Sequence, residues 1–181
     1  MKNIVTLFLI CIVSLNVSAQ EISQIPTIEK TGKYGFERII EIENKTSMEL
    51  FQQTKLFLIK RHVDNDFIIE IENQELFDNG SFPATLEVSK AQMTYTILYT
   101  FLVKFKDGKI KTTISDMKVS TNAQGTTSEV TLENFIENLN ATSSGKKYAK
   151  KMNDSLSKSI IEAADKLLTD LTNSFSESET W

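Results

Sequence analysis

Between Tyr95 and Phe105 every odd position is aromatic or aliphatic: Tyr95, Ile97, Tyr99, Phe101, Val103 and Phe105. Successive side chains of a strand point to opposite faces, so this alternation predicts a strand with one buried face. Asp107-Gly108 follows, a pair that readily adopts the φ > 0 angles of a type I′ hairpin turn. With those two residues as the whole loop, Lys106 faces Lys109, Phe105 faces Ile110, Val103 faces Thr112 and Phe101 faces Ile114. Apolar then meets largely apolar across one face, so pattern and turn chemistry agree. The other face of the ribbon carries Thr94, Thr96, Leu98, Thr100, Leu102 and Lys104, with Thr113, Ser115 and Met117 opposite. It is neither charged like a plain solvent face nor apolar like a core. Thr96, Leu98, Thr100, Leu102, Thr113, Ser115 and Met117 are therefore the candidate binding surface, against the plainer reading of a solvated sheet face.

The rest of the chain supplies what the ribbon needs. Phe36, Ile40 and Ile42 alternate with Glu37, Glu41 and Glu43, a half-buried strand. Thr46-Ser47-Met48-Glu49 reads as a capping box for a helix from about Ser47 to His62, with Leu50, Phe51, Thr54, Phe57 and Leu58 on one face. Asp64-Asn65-Asp66 turns the chain into a second strand around Phe67, Ile69 and Ile71. Gln74 to Pro83 is expected to be broken by Asn79-Gly80, and Ala84 to Ser89 to form a third, weaker strand. Ser120 to Thr131 reads as a polar loop. Leu132, Phe135, Ile136 and Leu139 mark a short helix. After Gly145, Tyr148, Met152, Leu156, Ile160, Ala163, Leu167, Leu171 and Phe175 form one continuous helical stripe suited to packing on the sheet.

The amino terminus bears on compartment. Lys2 precedes an apolar run from Ile4 to Leu15, closed by Val17-Ser18-Ala19. A membrane-spanning helix needs about 20 apolar residues, so this shorter run reads as an export signal cleaved after residue 19. The organisation expected is a signal peptide at 1–19, a flexible lead-in at 20–34, a single domain at 35–175 and a polar tail at 176–181. Cleavage removes Cys11, which Ile10 and Ile12-Val13 place in apolar sequence unsuited to lipidation, and the remaining chain then has no thiol. Disulfides, cysteine nucleophiles and thiolate metal sites are thereby excluded from the mature chain. Its net charge of about −5 disfavours phosphate backbones as partners. Lys146, Lys147, Lys150 and Lys151 come closest to a basic patch and read as a solvated helix turn.

No catalytic constellation stands out. His62 is the only histidine, no G-x-S-x-G elbow, P-loop or dinucleotide fingerprint occurs, and no cofactor or metal is implied. Asp64-Asn65-Asp66 opens like a calcium loop but has Ile69 where the loop's glycine belongs. Glu70 and Glu72 share one strand face with Glu75 nearby, and such carboxylates do acid–base work only in a cleft that shifts one pKa.

Three segments carry a family resemblance: Phe36-Glu37-Arg38-Ile39-Ile40, Ser47-Met48-Glu49-Leu50-Phe51 through Phe57-Leu58, and Phe101-Leu102-Val103-Lys104-Phe105-Lys106-Asp107-Gly108-Lys109. Over about residues 35–120 the chain resembles the DUF4468 domain with its TBP-like fold. It departs from the family in lacking a tryptophan in the first helix, since Trp181 is its only one. The resemblance implies an α+β domain of β-α-β-β-β-β-α order: an antiparallel sheet of about five strands with two main helices on the face of Tyr95, Ile97, Phe101 and Val103. It also implies an exported protein and transfers no catalytic residue. The TBP name does not imply DNA binding, because an acidic chain lacks the basic saddle that binding needs. The expected function is a non-catalytic envelope or secreted binding module with an unidentified envelope partner. The competing expectations are a carrier of a lipid or other amphiphile and, further off, a hydrolase using paired carboxylates.

Overall fold

The computed structural model describes residues 24–61, 68–71, 75–88, 91–123, 126–142 and 146–176. The export signal, His62, the Asp64-Asn65-Asp66 turn and residues 177–181 lie outside that set. Within it run β1 (Phe36–Glu41), α1 (Ser47–Arg61), β2 (Ile68–Ile71), β3 (Glu75–Val88), β4 (Ala91–Lys106), β5 (Lys109–Ala123), β6 (Thr126–Thr131), α2 (Leu132–Thr142) and α3 (Lys146–Ser174). The sheet is antiparallel with the order β1-β5-β4-β3-β2, and β6 pairs with β5 as well. Across its width the sheet therefore has the five positions expected, because β1 and β6 share one side of β5. β1 takes residues 109–114 of that strand, and β6 takes 118–123.

The β4–β5 hairpin has the register the alternation predicts: Lys106 opposite Lys109, Phe105 opposite Ile110, Val103 opposite Thr112 and Phe101 opposite Ile114. Only Gly108 of the turn pair has positive φ, 74°, so the turn is not type I′. The reason lies in α1. The Asp107 carboxylate accepts the Ser47 N–H at 2.7 Å, and the Gly108 N–H donates to the Lys45 carbonyl at 2.9 Å. The turn thus caps a helix far from it in sequence. The predicted capping box forms too, with the Glu49 carboxylate accepting the Thr46 N–H at 2.7 Å. Both carboxyls are held below the usual carboxylate range, chiefly by those backbone donors.

Ile97, Tyr99, Phe101, Val103 and Phe105 are buried under the helices with Leu50, Phe51 and Leu58 of α1 and Leu156, Ile160, Leu167 and Leu171 of α3. Phe51 meets Phe105 edge to face at 5.4 Å, and Tyr95 meets Phe135 of α2 at 5.1 Å.

Three expectations are corrected. First, β3 runs unbroken through Asn79-Gly80 and Pro83. Gly80 serves a close approach and not a turn: a Cβ there would lie 2.4 Å from the Tyr99 ring. The Thr85 and Glu87 amides point away from β4 and donate to Ser159 and Ser155 of α3, at 3.0 and 2.9 Å. Pro83 has the same parity, so its missing N–H costs the β3–β4 ladder nothing. Second, the stretch read as a polar loop from Ser120 to Thr131 is the end of β5 and the whole of β6, paired from Lys118–Thr131 to Ala123–Thr126. Third, residues 24–34, read as a flexible lead-in, form a tight turn seated on the core. Ile25 and Ile28 are buried, and the Ile28 N–H donates to the Lys33 carbonyl at 2.9 Å.

Candidate functional site

Among the described residues, the helices cover one face of the sheet and leave the other bare. On the bare face Leu98, Thr100, Leu102, Thr113 and Ser115 are half-buried and Thr96 is exposed. The β3–β4–β5 register sets Phe77 beside Leu102 and Thr113, Asn79 beside Thr100 and Ser115, and Ser81 beside Leu98. Phe77 is half-buried, and Ile39 of β1 stands 63% exposed. Neither was singled out by the alternation of the ribbon. Phe77 becomes visible only once β3 is known to continue through Asn79-Gly80.

Met117 is not part of this surface. It is 3% exposed and belongs to the core, as does Val119. The cause is a β-bulge: Leu98 faces Lys118 and Thr100 faces Ser115, so Tyr99 alone opposes Asp116 and Met117. One extra residue inverts every later side chain of β5. Asp116 takes the strained position, φ 50°, a conformation that Asp tolerates better than most residues. The bulge falls in the gap between β1 and β6, where the amino-terminal turn docks and Lys33 pairs with Asp116 at 3.2 Å.

Ion pairs border the bare face. Lys111 pairs with Glu37 at 2.8 Å, Lys118 with Glu129 at 3.1 Å, and Lys104 with Glu75 directly across the β3–β4 ladder. Each joins neighbouring strands, and the centre they border, Phe77, Leu98, Thr100, Leu102, Thr113 and Ser115, carries no charge. A hollow of about 510 Å³ lies over the bulge, with Asn79, Leu98, Thr100, Asp116, Lys118 and Glu129 in its lining. This arrangement can hold a flat, largely uncharged surface.

Glu75 is engaged by Lys104, Glu72 lies outside the described residues, and Glu70 is placed as a strand position in β2. On the helical side, Asp78 and Tyr99 are buried near Arg61. Burial pushes the Tyr99 hydroxyl up, with Arg61 opposing and Asp78 reinforcing that shift. Tyr99 stacks on Phe82 at 5.1 Å over Gly80, so this group is packed beneath α1 and not open to a substrate. A larger hollow, about 640 Å³, lies between the amino-terminal turn, α2 and α3 and includes Tyr34, Ile136, Asn140, Lys150, Asn153 and Asp154 in its lining. Among the described residues, no three metal-ligating side chains gather and no helix is long and apolar enough to cross a membrane.

Comparison with solved structures finds the same fold elsewhere. A TBP-like protein from Parabacteroides distasonis superposes with a TM-score of 0.63 at 16% identity, covering 86% of this chain and 99% of its own. A DUF4468 family protein from Bacteroides ovatus gives a TM-score of 0.63 at 13% identity, covering 87% and 93%. No curated protein matches the chain. The resemblance read from the strand, capped helix and Lys-Asp-Gly hairpin holds: residues 36–120 match the family described as DUF4468, a domain of unknown function with TBP-like fold.

Proposed function

We propose that this chain is an exported, non-catalytic binding module that meets its partner with the bare face of its sheet. One observation carries the reading: every helix packs on one face, and the other keeps an uncharged Phe-Leu-Thr centre inside a border of paired charges. Uncovered apolar surface rimmed by polar groups is what contact surfaces present. The apolar run from Ile4 to Leu15 and the Ala19 cleavage position support export. A photo-crosslinking side chain at Thr100 or Leu102 tests the module in its native cells, with Lys158 on the exposed side of α3 as the control. The expected result is a discrete adduct from the sheet positions, absent at Lys158, in envelope fractions where the chain begins at Gln20. Equal or no adducts from both faces contradict the binding reading, and a chain retaining residues 1–19 contradicts cleavage.

A carrier of an amphiphile is the second reading. The 640 Å³ hollow has the size of a small-molecule site. Its lining includes Lys150 and Asp154, which suits a polar headgroup better than an acyl chain. Native mass spectrometry of protein purified from its host decides: a bound molecule lost on Ile136→Lys supports it, and a clean apo mass removes it.

A further inference from the structure

Resting on the reading of the bare face as a contact surface, we infer that the occupant is a second copy of this chain, docked sheet to sheet about a twofold axis. The charge pattern argues for it. The chain as a whole is acidic, so two copies repel over most of their surfaces. On the bare face Lys33, Lys104, Lys111 and Lys118 are each matched by a carboxylate around an uncharged centre, so a like-charged copy meets little opposition there.

Size agrees. β4 has 16 residues and β5 has 15. With the 14 residues of β3 beside them, at ~3.3 Å per residue and ~4.8 Å between strands, the three strands offer on the order of 700 Å². A stable interface takes roughly 800 Å² from each partner.

The residue pattern selects the axis. An axis along the strands would set Leu98 against Lys118 and Phe77 against Glu37 of the other copy, apolar groups on charged ones. An axis across the strands at the level of Thr100 and Ser115 exchanges positions two residues either side. Leu98 then lies on the second copy's Leu102, Phe77 lies over Ser81, and Thr100 sits on the axis facing itself. Isologous contacts require this kind of self-complementarity, and aligned sheets pack about 10 Å apart with their side chains interdigitated.

Sedimentation velocity over a concentration series of the full chain tests the proposal. The expected result is a reversible monomer–dimer equilibrium that Thr100→Lys weakens by about 100-fold or more, since it sets two like charges face to face on the axis. Circular dichroism guards against a folding defect, and the solvent-facing position makes one unexpected. A second experiment keeps the geometry at risk. Leu98→Lys/Leu102→Lys and Leu98→Asp/Leu102→Asp chains should each be monomeric, yet form a heterodimer when mixed. A monomer at every concentration, a dimer indifferent to Thr100→Lys, or charge variants that fail to pair would overturn the proposal. The binding module outlives that failure if the Thr100 crosslinker still captures a different envelope protein, and falls with it if nothing is captured.

Discussion

The two faces of this sheet are built from the same strands and differ by one step of the backbone. Phe101 is wholly buried beneath the helices, while its neighbour Leu102 stands half-buried on the bare face. On the helical side, side chains from three helices interlock and a lost ring leaves a hole. On the other side, contacts are lateral, between neighbouring strands, and solvent fills what is removed. The core face is thus intolerant and the bare face permissive, so the residues of the bare face can vary at little cost to the fold.

The sharpest way to break this contrast is to truncate adjacent residues. Phe101→Ala should cost about 3–5 kcal/mol in urea denaturation, and Leu102→Ala about 1 kcal/mol or less. Comparable losses would mean that the bare face is covered. The bulge gives a second pair of reversed parity. Met117→Ala should cost about 2–4 kcal/mol by the same measurement, and Ser115→Ala should stay within about 0.5 kcal/mol. Gly80→Ala comes next. It forces a Cβ against the Tyr99 ring and should cost about 1–3 kcal/mol. A double-mutant cycle with Tyr99→Leu should recover part of that loss, and strict additivity would contradict the close approach.

The smallest effect concerns acid. Asp107 and Glu49 have folded-state pKa values below their ordinary ones, so the stability they add is present above the ordinary carboxylate pKa. It is lost as pH falls through the lowered values. The wild-type chain should therefore lose stability on acidification below about pH 4. An Asp107→Asn/Glu49→Gln chain should show a flatter thermal-melting profile there, the gap between the two closing as pH drops. Parallel profiles would mean that neither cap is titrating.

The contrast also explains which parts of the molecule were legible in its sequence. Alternation from Tyr95 to Phe105 and the Asp-Gly pair determine the register because both act locally and agree. The capping box and the α3 stripe are equally local. Simple alternation puts Met117 on the wrong face because a bulge adds one residue without any composition signature of its own, though the change of apolar spacing from Ile110-Ile114 to Met117-Val119 carries the phase slip. Asn79-Gly80 reads as a turn only while Tyr99 is not known to need the space above Gly80, a long-range contact. β6 is hard to read from the sequence because Thr126, Thr127 and Ser128 are polar. Yet threonine is β-branched and suits an edge strand, and that was the signal available. Of the candidate surface, Thr96, Leu98, Thr100, Leu102, Thr113 and Ser115 lie together as alternation requires. Phe77 joins them only through the correct path of β3.

Native-state thiol labelling tests the two-faced sheet most directly, because replacing Cys11 by Ser leaves a chain without cysteine. Single cysteines at Thr100, Ser115, Phe101 and Met117 would be labelled at high dilution, where association of copies is suppressed. The account predicts that Thr100→Cys and Ser115→Cys react at rates near those of the unfolded chain, while Phe101→Cys and Met117→Cys react only as fast as the protein opens. Rapid labelling at Met117→Cys, or protection at Thr100→Cys that persists on dilution, would contradict it.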